Sequence, residues 1–207
     1  AQLALVNATG VRVTLPGGDA LYKDAFAMMP FGNNLLVLTM TGAQLKEALE
    51  QQYAIPIRPG RTKPAVLAPS DGLAYAVDMS KPEGSRVSGI RLNGKRVALD
   101  GRYRVAVNNY LASGGDGISA FTKGTDVTDM GIIDLDALVA WIAPGRTPPM
   151  PDRIRFVPSA AAARRSCAAC ASATPRLLEA GDSASRSRSE GAGRSTFHRN
   201  HWPARAA

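Results

Sequence analysis

The sequence predicts an α+β domain, a mixed and mostly antiparallel sheet flanked by helices. Two observations lead there. Eight short runs of strand length are separated by Gly, Pro and Asn punctuation, and two segments carry apolar residues at helical spacing. A third sets the scale: 207 residues with 45% hydrophobic content are enough for a core. No run of about 18 apolar residues exists, so no transmembrane helix is expected.

Leu3–Val6 is an apolar strand that ends at Asn7 and Gly10, where the chain turns. The opening AQLALVNATGVR lacks a basic region, a sustained apolar run and a cleavage site, and so reads as a strand rather than a secretory signal. A helix fits Asp19–Met28 and stops at Pro30, because proline disfavours helical geometry in the residue before it. Leu35–Thr41 is β-rich. Ala43–Tyr53 is helical, with Leu45, Ala48 and Leu49 on one face and Lys46 four residues from Glu50 on another.

A Pro-rich loop over Ile55–Pro64 precedes strand signals at Val66–Ala68, Leu73–Val77, Arg86–Leu92 and Tyr103–Val107. Asn93-Gly94 marks a hairpin turn between Leu92 and a short strand at Val97–Leu99. Asp134–Ile142 is a last helix, Asp134 its expected N-cap, with Leu135, Leu138, Val139 and Ile142 on the apolar face. Arg153–Val157 offers a final strand. The domain is expected to span residues 1–157.

The formal charge of +8 is unevenly placed. Residues 159–207 hold eight Arg against three acids, a net of +5, and the body holds 17 basic against 14 acidic residues, a net of +3. In that tail Ala, Ser and Arg fill 30 of 49 positions, and Val, Ile, Met and Tyr are missing. Such a composition buries too little apolar area to offset chain entropy, about 1–2 kcal/mol per residue. Residues 158–207 are therefore expected to be disordered, and the abrupt change points to sequence foreign to the domain. An Arg-rich arm without aromatic interleaving argues against a nucleic-acid partner. Between Cys170 of the Cys167/Cys170 pair and His198 lie 27 residues, and only two residues separate His198 from His201, spacings that do not suit a zinc finger.

Three segments are not explained by strand and helix patterning: NATGVR (Asn7–Arg12), PFGN (Pro30–Asn33) and NYLASGGDG (Asn109–Gly117). Each sets glycine beside a polar or aromatic residue at the end of an element, where backbone can approach a ligand. Singly, each has a plain reading: Phe31 and Tyr110 as packing, Arg12 as surface charge, Asp116 as a turn residue. Their order is more specific. NATGVR, PFGN with Phe31 nineteen residues beyond Arg12, LTMTGAQLKEALE, YRVAVNNYLASGGDG and GIIDLDALVAWI together resemble the C-terminal domain of the 5′-nucleotidase family, with its pattern NxGGxR, PFGN, a strand ending in TG, and NFLAxGGDG. The family includes periplasmic UDP-sugar hydrolases and ecto-5′-nucleotidases.

The resemblance implies that Phe31 and Tyr110 clamp a nucleobase, Asp116 holds the ribose hydroxyls, and Arg12 contacts a phosphate. Asn33 and Asn7 would contact the base edge. Thr9 departs from the family's glycine, and Tyr110 from its commoner phenylalanine. The family also has a helix ahead of this region that supplies another phosphate-side arginine, and a metallophosphoesterase domain whose Asp, His and Asn ligands hold a divalent metal pair. By the resemblance, residue 1 already stands at the first strand and that helix is missing. Residues 1–157 contain no histidine, so no catalytic residue and no metal ligand is expected among them. The expected function is the substrate-specificity part of a metal-dependent 5′-nucleotidase, inactive without its metal domain and periplasmic or extracellular. Its implied partners are an AMP-like nucleotide or nucleoside and the metal domain, with no membrane. The alternative is a nucleotide-binding module without turnover.

Overall fold

A computed structural model describes residues 1–54, 66–143, 145 and 153–158. The Pro-rich loop Ile55–Pro64, the tail from residue 159 and its Cys and His residues lie outside the described residues. The strands are β1 (Leu3–Val6), β2 (Asn34–Thr41), β3 (Ala68–Pro69), β4 (Leu73–Val77), β5 (Val87–Leu92), β6 (Lys95–Arg96), β7 (Arg102–Asn108), β8 (Thr125–Ile133) and β9 (Ile154–Phe156). The helices are α1 (Tyr22–Met28), α2 (Gly42–Ala54), α3 (Asn109–Ala112) and α4 (Asp134–Ile142). No described helix is long and apolar enough to cross a membrane.

The fold is α+β, and its strands divide between two mixed sheets. One has the order β3-β1-β7-β2-β8, with β1 and β7 parallel and the other neighbours antiparallel. The other runs β6-β5-β4-β9, with β4 and β9 parallel. Alternation sets which faces are inside. Leu3 and Leu5 of β1, Leu38 and Met40 of β2, and Val105 and Val107 of β7 are buried at alternate positions. They join Leu73, Tyr75 and Val77 of β4 and Leu45, Leu49 and Tyr53 of α2 in one core cluster.

Local chemistry moves several boundaries. α1 starts at Tyr22 rather than Asp19, because the Asp24 carboxylate accepts the Leu21 amide at 2.8 Å and closes the first turn there. α2 opens on a reciprocal capping box: Thr41 N–H donates to Gln44 Oε1 (2.7 Å) and Gln44 N–H to Thr41 Oγ1 (3.2 Å). Asn93 and Gly94 both take positive φ (49° and 77°), as a two-residue I′ hairpin needs. The returning strand is Lys95–Arg96, not Val97–Leu99, because this turn pairs Leu92 directly with Lys95. β3 lies at Ala68–Pro69 rather than Val66–Ala68. Asp134 is not the N-cap of α4 but its first residue, and Ile133 precedes it as cap.

The C-terminal half of α2 is tied to the second sheet by polar groups that burial obliges to pair. Gln52, 1% exposed, donates to Leu49 O and Tyr75 Oη and accepts the Leu67 amide at 2.8 Å. Glu50 accepts the Val87 amide at 2.8 Å and the Arg86 amide at 3.1 Å. Burial raises the Tyr53 and Tyr75 hydroxyls above their ordinary pKa of 10.0. The folded state therefore keeps protons that the unfolded chain releases, so stability is fully present below about pH 10 and falls as pH rises beyond it. Thermal unfolding between pH 8 and 11 should show this decline, and Tyr53→Phe should make it shallower.

Candidate functional site

Topology brings the three glycine-bearing segments to one edge of the first sheet. β1 and β7 run parallel in the register Leu3↔Val105 and Ala4↔Ala106, so their C-terminal ends lie together. β2 runs antiparallel to β7 with Leu35 opposite Asn108, so the segment that leads into β2 arrives at the same end. NATGVR, PFGN and NYLASGGDG are those ends and that entry.

The floor beneath them is a hydrogen-bonded amide pair. Asn108 Nδ2 donates to Asn7 Oδ1 at 3.0 Å, and both residues are buried. Asn108 Oδ1 accepts the Leu111 amide at 2.9 Å and so caps α3. Asn7 Nδ2 donates to Thr9 Oγ1 at 2.7 Å. Asn7, expected at a base edge, is thus 4% exposed and engaged beneath the loop.

Above the floor the groups connect in a line. Thr9 Oγ1 reaches Asp116 Oδ2 at 2.5 Å, and Tyr110 Oη reaches Asp116 Oδ1 at 3.1 Å. The Asp116 N–H donates back to Tyr110 Oη at 3.0 Å. Arg12 donates through Nη1 to Thr9 O at 3.3 Å, and its guanidinium carbon lies 5.5 Å from the Phe31 ring centre. Its own backbone N–H bonds Met28 O, fixing the loop against the end of α1. Arg12, Phe31, Tyr110 and Asp116 therefore belong to one chain of contacts. Phe31 and Tyr110 keep 54% and 42% of their surface exposed.

The backbone around Asp116 requires this sequence. Asp116 has φ 54°, a left-handed conformation that Asp tolerates better than most residues. At Gly115 a Cβ would stand 2.5 Å from both the Tyr110 ring and the Tyr110 carbonyl oxygen, so only glycine lets the turn lie against the ring.

Asn33 is engaged elsewhere: its Nδ2 donates to Asp134 Oδ2 at 3.1 Å, and its carbonyl accepts the Asp134 amide at 2.8 Å. That joins the entry to β2 with the start of α4. Asn108 is the member of the cluster that the sequence did not single out, and Thr9 stood there only as a departure from the family's glycine. Asn108 carried a readable signal, an Asn directly ahead of a helical turn. A hollow of about 410 Å³ along α2, bordered by Lys46, Glu47, Glu50 and Gly84, is lined by none of the three segments.

The sequence model of the 5′-nucleotidase C-terminal domain matches residues 1–123. The chain belongs to the 5′-nucleotidase family. A trifunctional nucleotide phosphoesterase of Bacillus subtilis is 37% identical over 141 residues, covering 66% of this chain and 9% of its own. A 5′-nucleotidase of Vibrio vulnificus is 34% identical over 142 residues, 67% of this chain and 23% of its own. The solved 5′-nucleotidase precursor of Thermus thermophilus superposes with a TM-score of 0.67 at 30% identity, covering 76% of this chain and 32% of that one. The chain thus spans a quarter or less of the length of these two curated relatives. Among the described residues no three His, Cys, Asp or Glu side chains gather to hold a metal ion.

Proposed function

We propose that this chain is the nucleotide-holding, substrate-specificity part of a metal-dependent 5′-nucleotidase acting in nucleotide catabolism outside the cytoplasm. The observation that carries the reading is the line of contacts Phe31, Arg12, Thr9, Asp116 and Tyr110 at one sheet edge. It offers what a nucleoside monophosphate requires. Two exposed rings present faces to a flat heterocycle, an acid accepts sugar hydroxyls, and a guanidinium meets the phosphate. Stacking tolerates any base, which favours recognition of nucleotides as a class. The described residues do not fit a divalent metal pair, so hydrolysis is assigned to the family's metallophosphoesterase domain, whose role toward this chain is that of a partner.

Titration of the 207-residue chain with AMP tests the reading. Phe31→Ala and Tyr110→Ala should each weaken binding about tenfold, within the roughly 1–3 kcal/mol expected of base stacking on an aromatic side chain. Full affinity retained by either variant would rule out the clamp.

A further inference from the structure

Asp116 is held by two hydroxyls that come from chain segments far apart in sequence. Thr9 lies 107 positions away and bonds Oδ2, whereas Tyr110 lies six positions away and bonds Oδ1. We propose that Thr9 and Tyr110 are positioning residues that aim the Asp116 carboxylate at the vicinal diol of a ribose, so that their hydroxyls set how strongly the chain discriminates ribose from deoxyribose nucleotides. This rests on the nucleotide-holding reading above.

The direction of the hydrogen bonds is what makes this a device for aiming. A hydroxyl has one proton, and it points wherever a competing donor does not. Thr9 Oγ1 already accepts from Asn7 Nδ2, which in turn is oriented because Asn7 Oδ1 accepts from Asn108 Nδ2. The Thr9 proton is thereby directed at Asp116 Oδ2. Tyr110 Oη accepts from the Asp116 amide, and its proton is directed at Asp116 Oδ1.

Both carboxylate oxygens therefore receive a donor of fixed sense, one from each side, and the plane of the carboxylate is set before any ligand arrives. An aspartate without such partners rotates about its side-chain bonds and loses that entropy on binding. A carboxylate has about four acceptor positions, so it accommodates hydroxyls from the chain and from a sugar at once. Both hydroxyls also stand at the positions where the sequence departs from the pattern NxGGxR and NFLAxGGDG. The same carboxylate receives both departures.

The test compares AMP with 2′,3′-dideoxyadenosine monophosphate by isothermal titration of the whole chain. The readout is the ratio of the two dissociation constants measured on one preparation, which an unfolded fraction does not change. The wild type should prefer AMP. Thr9→Val and Tyr110→Phe should each reduce that preference about five- to tenfold, the scale of one ordinary hydrogen bond, and Thr9→Ser should restore it. A preference unchanged in both variants, or not restored by Thr9→Ser, would overturn the positioning role while leaving the nucleotide reading intact. Wild type that binds both ligands equally would overturn the sugar role of Asp116 together with this inference. Wild type that binds neither would overturn the nucleotide reading itself.

Discussion

Arg12→Ala should weaken AMP binding by roughly 30- to 150-fold, about 2–3 kcal/mol, while adenosine loses less than about fivefold. The difference arises because only AMP carries a phosphate for the guanidinium to meet. Arginine is suited to that contact: its planar fork stays charged and matches phosphate oxygens two at a time. Here the fork is held before a ligand arrives. The Arg12 backbone is anchored to Met28, Nη1 bonds Thr9 O, and the guanidinium rests over Phe31. An exposed cation over a ring contributes about 0.5–1 kcal/mol, which bounds the effect on adenosine through a loosened Phe31. Arg12→Lys should fall between wild type and Arg12→Ala, since it keeps charge and loses the fork. The gap between AMP and adenosine should also narrow as salt rises, because Arg12 is solvent-exposed and screening acts on it. Equal losses for the two ligands in parallel titrations would show that Arg12 supports the ring and not the phosphate.

How much of this was legible in the sequence follows from where the physical signal sits. β2 and β7 were readable because each buries one face, and the alternation of Leu38 and Met40, or Val105 and Val107, is written directly in the chain. The bounds of α4, Asp134–Ile142, were readable from the helical spacing of Leu135, Leu138, Val139 and Ile142, although of these four only Leu135 is buried. β8 was not anticipated. Its nine residues, Thr125–Ile133, are almost wholly exposed, so no inward face generates a pattern, and Asp126 and Gly131 take positive φ within it. What makes Thr125–Ile133 a strand is its neighbour: it pairs with β2 through two irregularities, and Arg104 bridges across from β7 to Thr39 Oγ1, Asp126 O and Thr128 Oγ1. Those irregularities and charges also blunt an edge that exposes Val127, Met130 and Ile132.

The candidate site was legible as three segments but not as a network. Parallel pairing of β1 with β7, a long-range event, is what puts Asn7 beside Asn108. Only then does Asn7, expected at a base edge, become part of the buried floor. Asn33 likewise gains a long-range partner, since its Nδ2 donates to Asp134, 101 residues on. Short polar side chains beside glycine look alike in sequence, whether they face a ligand or cap a neighbouring element. Long-range partners decide between the two.

The largest loss of stability is expected from Gly42→Ala. Gly42 ends the strand motif LTMTG and is the first residue of α2, where a reader of helix propensities would welcome alanine. The surroundings reverse that expectation. Gly42 N–H donates to Gly101 O at 2.9 Å and Ala43 N–H to Leu99 O at 2.8 Å, so the start of α2 lies directly on the turn before β7. A Cβ at residue 42 would stand 2.0 Å from Ala98 O and 2.9 Å from both Ala98 C and Val97 Cγ1. The first two are backbone atoms that no rotamer change can move. Relief requires the turn to back away from α2, which breaks both hydrogen bonds and opens the core beside Val97. That is overpacking against main chain, about 3 kcal/mol or more, and it corresponds to a fall in melting temperature on the order of 10 °C. Gly17→Ala is the control. Its added methyl meets nothing within 4 Å and its φ is not positive, so alanine there should leave the melting temperature nearly unchanged. Matching melting curves for the two variants would mean that α2 can shift off the Ala98–Gly101 turn at little cost. In that case the TG signature would owe nothing to packing.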